Sequence, residues 1–211
     1  MNATELLASS LGIRDDVPNQ KLADEIIRTE RNDWVKELVD NLKNGGKDIQ
    51  NDSIKALYEI GERGKAEMIA PYCAEFAAVL NSKNNRLVWG GMIALDTIAS
   101  VNPAVVFKLL PVIMDATDKG SVITIDHGVG ILAKLSGMPE FAGTTFPLLL
   151  EQLKRCPAKQ LPMYAEKSLN TAGGDNKVLL IQLLEARMDE LEKDSQKKRI
   201  EKVIKKIGSK R

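Results

Sequence analysis

A chain of 211 residues with 44% hydrophobic and 28% charged side chains can close a core without disulfides or metals, and is too apolar to stay disordered. The formal charge of +1 excludes a uniformly basic or acidic surface, and an aromatic content of 4% argues against sandwiches and barrels, which lean on aromatic and β-branched residues. Cys73 and Cys156 stand far apart with no spaced Cys/His cluster beside them, so they read as small buried hydrophobes in a reducing compartment.

Met1 to Leu11 lacks a basic leader followed by an apolar stretch, so no secretory signal is expected and a cytoplasmic location is. Helices are expected over Thr4 to Leu11, Asn19 to Arg31 and Asp33 to Lys43, the last two with apolar stripes of Leu22, Ile26 and Ile27 and of Val35, Leu38, Val39 and Leu42. Trp34 opens the third helix and reads as a lid over the helices packed beyond it rather than as a ligand contact. Residues 1–46 are thus expected to form N-terminal capping helices.

From residue 47 the sequence repeats. Ile54 to Gly61, Met92 to Ala99, Val129 to Ser136 and Glu166 to Gly173 align column by column, and the anchor leucines at 57, 95, 132 and 169 lie 38, 37 and 37 positions apart. Four positions before each anchor stands Ser53, Gly91, Gly128 or Ala165, and four after it Gly61, Ala99, Ser136 or Gly173. Small residues at these points let neighbouring helices approach closely. Between the anchors, second helical segments run over Ala66 to Leu80, Pro103 to Thr117, Thr144 to Arg155 and Lys177 to Glu192. Pro71 and Pro111 lie slightly inside theirs, where a proline bends a helix. Ser121 to Ile125 is β-branched enough for a strand but sits where the repeat needs a helix start, and a helix is expected. The longest apolar runs, residues 69–80 and 103–114, include Glu75 or Lys108 and are shorter than the roughly 20 residues that cross a bilayer, so no transmembrane segment is expected.

The period near 37 with two helices per unit resembles the HEAT-like and armadillo-type repeat family over residues 47–192. The resemblance implies an all-α, right-handed α-solenoid of about four helix-pair repeats between capping helices. Only Arg86 fits the family's recurrent arginine, Ile123 and Gln160 standing at the matching points. Solenoids of this kind line a concave face with their second helices. The columns five and six positions before the anchors, and two after, then supply Trp89, His127, Lys134 and Tyr164 as a mixed aromatic and polar strip for a protein or peptide partner. Trp89 is equally readable as core. His127 is the only histidine, and Asp126 beside it points some 100° away on a helix, so a catalytic dyad would need a carboxylate from another repeat.

The end of the chain is its sharpest electrostatic feature. In residues 193–211 nine Lys and Arg side chains oppose Asp194 and Glu201, a net +7, which leaves −6 on the rest of a chain whose total is +1. Lys197, Lys198, Arg199, Lys202, Lys205 and Lys206 flank a stripe of Ile200, Val203, Ile204 and Ile207. The segment reads either as a solvated terminal cap or as a basic surface for the acidic body of the chain, an acidic partner, nucleic acid or anionic lipid.

No phosphate-binding glycine loop, nucleophile elbow, paired metal-binding histidines or calcium loop occurs in the sequence. No catalytic residue, cofactor or metal is therefore expected. The leading expectation is a non-enzymatic scaffold or adaptor for a protein or peptide. The resemblance also admits a nucleic-acid-binding protein of the DNA alkylation repair type, and an accessory protein that assists cofactor attachment.

Overall fold

Two prolines break the helices in which they lie, and three of the four leucine anchors lie fully buried in regular helix. The computed structural model describes residues 2–171 and 175–209, and among them there are helices and turns but no strand. Contacts divide the chain into two compact units, residues 1–128 and 129–211.

In the first unit a short 3-10 turn at Thr4–Leu6 precedes α1 (Val17–Thr29), α2 (Asn32–Asn44) and α3 (Lys47–Ile60). α1 starts with Pro18 in its first turn, where the missing N–H costs nothing, and ends on Glu30 in the left-handed region at φ 53°. Glycines 45 and 46 turn the chain from α2 into α3. The next helix is broken into α4 (Ala66–Ile69), a 3-10 turn containing Pro71, and α5 (Cys73–Ala78). It leads into α6 (Asn85–Ile98), whose N-terminus is capped by the Asn84 carboxamide accepting from the Arg86 amide at 3.1 Å.

α7 (Pro103–Lys108) and α8 (Leu110–Lys119) are separated at Leu109 (φ −88°, ψ 0°), two residues before Pro111. The Pro111 ring has no N–H to donate and crowds the carbonyl four residues back, which breaks the helix there. The interruptions expected at Pro71 and Pro111 are thus both seen. α9 (Val122–Ser136) is helical from Val122 on, so the β-branched run does not form a strand, and the boundary between the two units falls within it.

The second unit contains α10 (Pro139–Arg155), α11 (Leu161–Lys167) with a 3-10 turn at Ser168–Asn170, α12 (Asp175–Ala186) and α13 (Asp194–Ser209). Pro147 lies inside α10 without interrupting it. The carbonyl that loses its donor there is that of Gly143.

The anchor column holds in three repeats: Leu57, Leu95 and Leu132 are fully buried. The −4 column acts as foreseen. A Cβ on Gly91 would lie 2.8 Å from Val79 Cγ2 and 2.9 Å from the Phe76 carbonyl, and one on Gly128 would lie 2.1 Å from Thr117 Oγ1. Ser53 occupies the same place against α2, accepting from Asn41 Nδ2 at 3.3 Å. Gly61 in the +4 column likewise meets Thr97, whereas Gly173 lies outside the described residues.

The fourth repeat departs from the pattern. Leu169 falls in the 3-10 turn and is only half-buried, while Leu161, Tyr164, Ala165 and Ser168 fill the interior. The reason is Glu166, which stands in the column occupied by Ile54, Met92 and Val129. Its charge keeps its water at an exposed position of α11, where Arg199 of α13 meets it with two hydrogen bonds of 2.8 and 2.7 Å.

Candidate functional site

The N-terminal segment is tied down by carboxylates whose role gave no sequence signal. Glu37 on α2 accepts from the Ala3 and Thr4 amides at 3.0 and 2.9 Å and from the Thr4 hydroxyl at 2.5 Å. Burial by itself pushes its carboxyl up, but those three donors outweigh it and hold Glu37 below the ordinary glutamate range. Asn19, fully buried, accepts from the Ala8 amide and donates to Asp52 at 2.9 Å, and Asp52 also accepts from the Ser9 amide at 2.7 Å.

This network holds Ala8 and Ser9 against α1 and α3, and they and residues 12–16 line one side of a groove. Toward the N-terminus the groove opens into a cavity of about 520 Å³ that includes Arg14, Asp15, Asp16, Asp48, Asn51 and Arg86 in its lining. Asp16, Asn51 and Arg86 continue into a narrower pocket of about 110 Å³ that includes Trp89, Tyr58 and Lys55. Lys55 is occupied: it pairs with Glu59, which also takes Arg63, and its ammonium lies 4.7 Å from the Tyr58 ring centre. By contrast, among the described residues Asp15, Asp16 and Asp48 have no cation within ion-pair distance, and Asp48 and Asp15 are exposed. Trp89 is half-buried, and its Nε1–H is buried without a hydrogen-bond partner.

Of the strip read from the sequence, Trp89 and His127 fall in the first unit and Lys134 and Tyr164 in the second. In the first unit, Trp89 lines the narrow pocket, but His127 turns to the preceding second helix, where its Nδ1 lies 2.8 Å from Asp96 Oδ2. The column to which it belongs is a seam between second helices. A Cβ on Gly90, in the same column, would sit 2.4 Å from Ile54 Cγ1, and Asp52 meets Asn19 there. In the second unit Lys134 is half-buried, and Tyr164 is a core side chain at 1% exposure, unable to present its ring to a partner. Asp96 could have been found from the sequence as the polar residue next to anchor Leu95 in an otherwise apolar helix.

The basic segment is helical in α13 up to Ser209. Ile200, Val203 and Ile207 are buried, and Lys198, Arg199, Lys202, Lys205 and Lys206 are exposed, with Lys197 intermediate. The apolar stripe is therefore spent on the fold. Trp34 is buried at 8% exposure under the Arg31 guanidinium, 4.3 Å from its ring centre.

Cys73 and Cys156 are buried and unbridged, and burial pushes the Cys73 thiol up to about 11. Among the described residues no group of three or more His, Cys, Asp or Glu is placed to hold a metal ion, and no helix is long and apolar enough to cross a membrane.

No protein-family model and no curated protein matches the chain. Solved structures do. A designed armadillo repeat protein in complex with the peptide (KR)4 is 13% identical over 89% of this chain and 86% of its own, with a TM-score of 0.67. An engineered protein solved by a structural genomics consortium is 17% identical over 100% of both chains at a TM-score of 0.66, and another over 99% and 98% at 0.62. With helix pairs recurring through the sequence and no strand among the described residues, the chain has an all-α, armadillo/HEAT-like solenoid fold.

Proposed function

We propose that this chain is a non-enzymatic repeat scaffold that holds a Lys- and Arg-bearing segment of a partner protein in the groove of its first unit. The observation that carries the reading is the set of three carboxylates, Asp15, Asp16 and Asp48, standing without counter-cations at the mouth of a pocket lined by Trp89 and Tyr58. A carboxylate already in water and unpaired gives up little to meet a cation, and an indole face adds a cation–π contact. Arg86 and the Asn51 amide supply donors for the carbonyls of an extended backbone. The fold adds support, since a protein with the same fold carries the basic peptide (KR)4.

The test is fluorescence anisotropy with a labelled (KR)4 peptide. Wild-type chain should bind it with an affinity that weakens as salt rises, and Asp15→Asn with Asp16→Asn and Asp48→Asn should weaken it about tenfold. Trp89→Ala should weaken it as well. Equal binding by wild type and the triple variant, or binding of duplex DNA in place of the peptide, would overturn the reading.

A further inference from the structure

The groove does not stop at its carboxylates. On the far side of Asp15 lies a cavity of about 550 Å³ in the N-terminal cap, lined by Leu6, Leu11, Ile13, Val17, Pro18 and Leu22. Three of these are large hydrophobics left open to water: Leu11 at 51%, Val17 at 47% and Ile13 at 42% exposure. Single exposed apolar residues are ordinary, but three converging on one pocket form the kind of patch that marks a contact surface. The two cavities share Ile13 and Asp15, so apolar lining and acidic mouth form one continuous surface.

The patch is built rather than frayed. The Ile13 amide donates to the Ala8 carbonyl at 2.9 Å and the Gly12 amide to that of Ser9 at 3.2 Å, with Gly12 at φ +70°. This paired closure of a helical turn on a left-handed glycine fixes where Ile13 points. Beneath it the Ser9 amide is held by Asp52 and the Ala8 amide by Asn19.

Resting on the proposed groove, we infer that the bound segment is bipartite, with one or two apolar side chains seated in the Leu11–Ile13–Val17 pocket and the adjoining Lys or Arg residues meeting Asp15, Asp16 and Asp48. Charge complementarity selects this occupant over a second copy of the chain. The other exposed large hydrophobics are Val101, Val122, Ile123, Val178 and Leu179. Among these the pair Val178–Leu179 adjoins a cation, Lys177, and that ammonium already donates to the Gly208 carbonyl at 3.0 Å. The chain's exposed cations cluster most densely on α13, whose Ile200, Val203 and Ile207 are buried, so that helix offers the charges without exposed apolar side chains beside them.

The experiment compares labelled (KR)4 with the same peptide extended by two leucines through a Gly-Ser spacer, against wild-type chain and Leu11→Ser/Val17→Ser, two positions that line the apolar cavity alone. Both sites are exposed, so the variant should keep its helical circular dichroism. The leucines should tighten binding about tenfold to wild type and not at all to the variant, while (KR)4 alone binds both equally. If (KR)4 binds and the leucines add nothing, or if their gain survives in the variant, the bipartite segment is wrong and the groove stands. If neither peptide binds, groove and segment fall together. Sedimentation showing wild-type self-association that Leu11→Ser/Val17→Ser abolishes would assign the pocket to a second copy and overturn the inference.

Discussion

The His127 imidazole reaches back to Asp96, 31 residues earlier, with Nδ1 and Oδ2 2.8 Å apart. The pair joins α6 and the start of α9 at a half-buried point of the first unit, the Asp96 side chain being 12% and the His127 side chain 24% exposed. The one histidine of the sequence is here a strut between successive second helices. Asp96→Ala and His127→Ala are each expected to cost about 1–2 kcal/mol in urea unfolding. Because both remove the same bond, the double variant should lose less than the sum of the two.

The close approach at Gly128 gives a sharper test. Its missing Cβ leaves room for Thr117, which is 1% exposed and whose hydroxyl donates to the Ile113 carbonyl at 2.7 Å. Gly128→Ala should destabilise the chain by about 1–3 kcal/mol, since neither helix can give way within a packed pair. Thr117→Ala in that background should recover part of the loss. Full additivity of the two substitutions would mean that the contact does not set the spacing.

How much of this was legible depends on which side of the helix a residue serves. The leucine anchors and small columns were readable because contacts between the two helices of a pair recur at one spacing, and the same volume constraint acts in each repeat. Contacts made once were not. Glu166 breaks an apolar column and is exposed, and Leu169, three residues on, is only half-buried. The charge was visible in the alignment as a misfit, and its consequence needed the Arg199 partner on α13 to be known. The groove carboxylates were invisible for another reason: Asp15 and Asp16 lie in the cap and Asp48 in the first repeat, so no periodicity connects them.

α13 separates structural from surface residues along one helix. Ile200 and Ile207 are fully buried, so Ile200→Ala or Ile207→Ala should cost about 2–3 kcal/mol. Gln in place of Lys198, Lys202, Lys205 and Lys206 together should leave the unfolding midpoint nearly unchanged, because these side chains are exposed. The Arg199–Glu166 pair lies between the two classes, with side chains 45% and 43% exposed, and Arg199→Ala should cost well under about 1 kcal/mol. A large loss of stability from the lysine substitutions would place those residues in contacts that their exposure denies.

Glu37 should make the stability of the N-terminal cap depend on acid. Its folded carboxyl is held below the ordinary value of 4.5 by the Thr4 hydroxyl and the Thr4 and Ala3 amides, against the opposing pull of burial. The folded state thus binds its proton less readily than the unfolded state does. The resulting stabilisation is fully present above the ordinary glutamate value and is lost as pH falls through the lower folded one. Glu37→Gln keeps an acceptor but not the charge, and should cost about 1 kcal/mol at neutral pH. The gap to wild type should narrow as pH falls below the ordinary glutamate value and close once pH has passed the lower folded one, where the wild-type carboxyl is protonated too. The measurement is denaturant unfolding of both chains across that range, with hydrogen exchange at the Ala3 and Thr4 amides as a local readout. A gap that persists unchanged into acid would mean that Glu37 acts through its packing, and that the charge on it does not anchor the first turn.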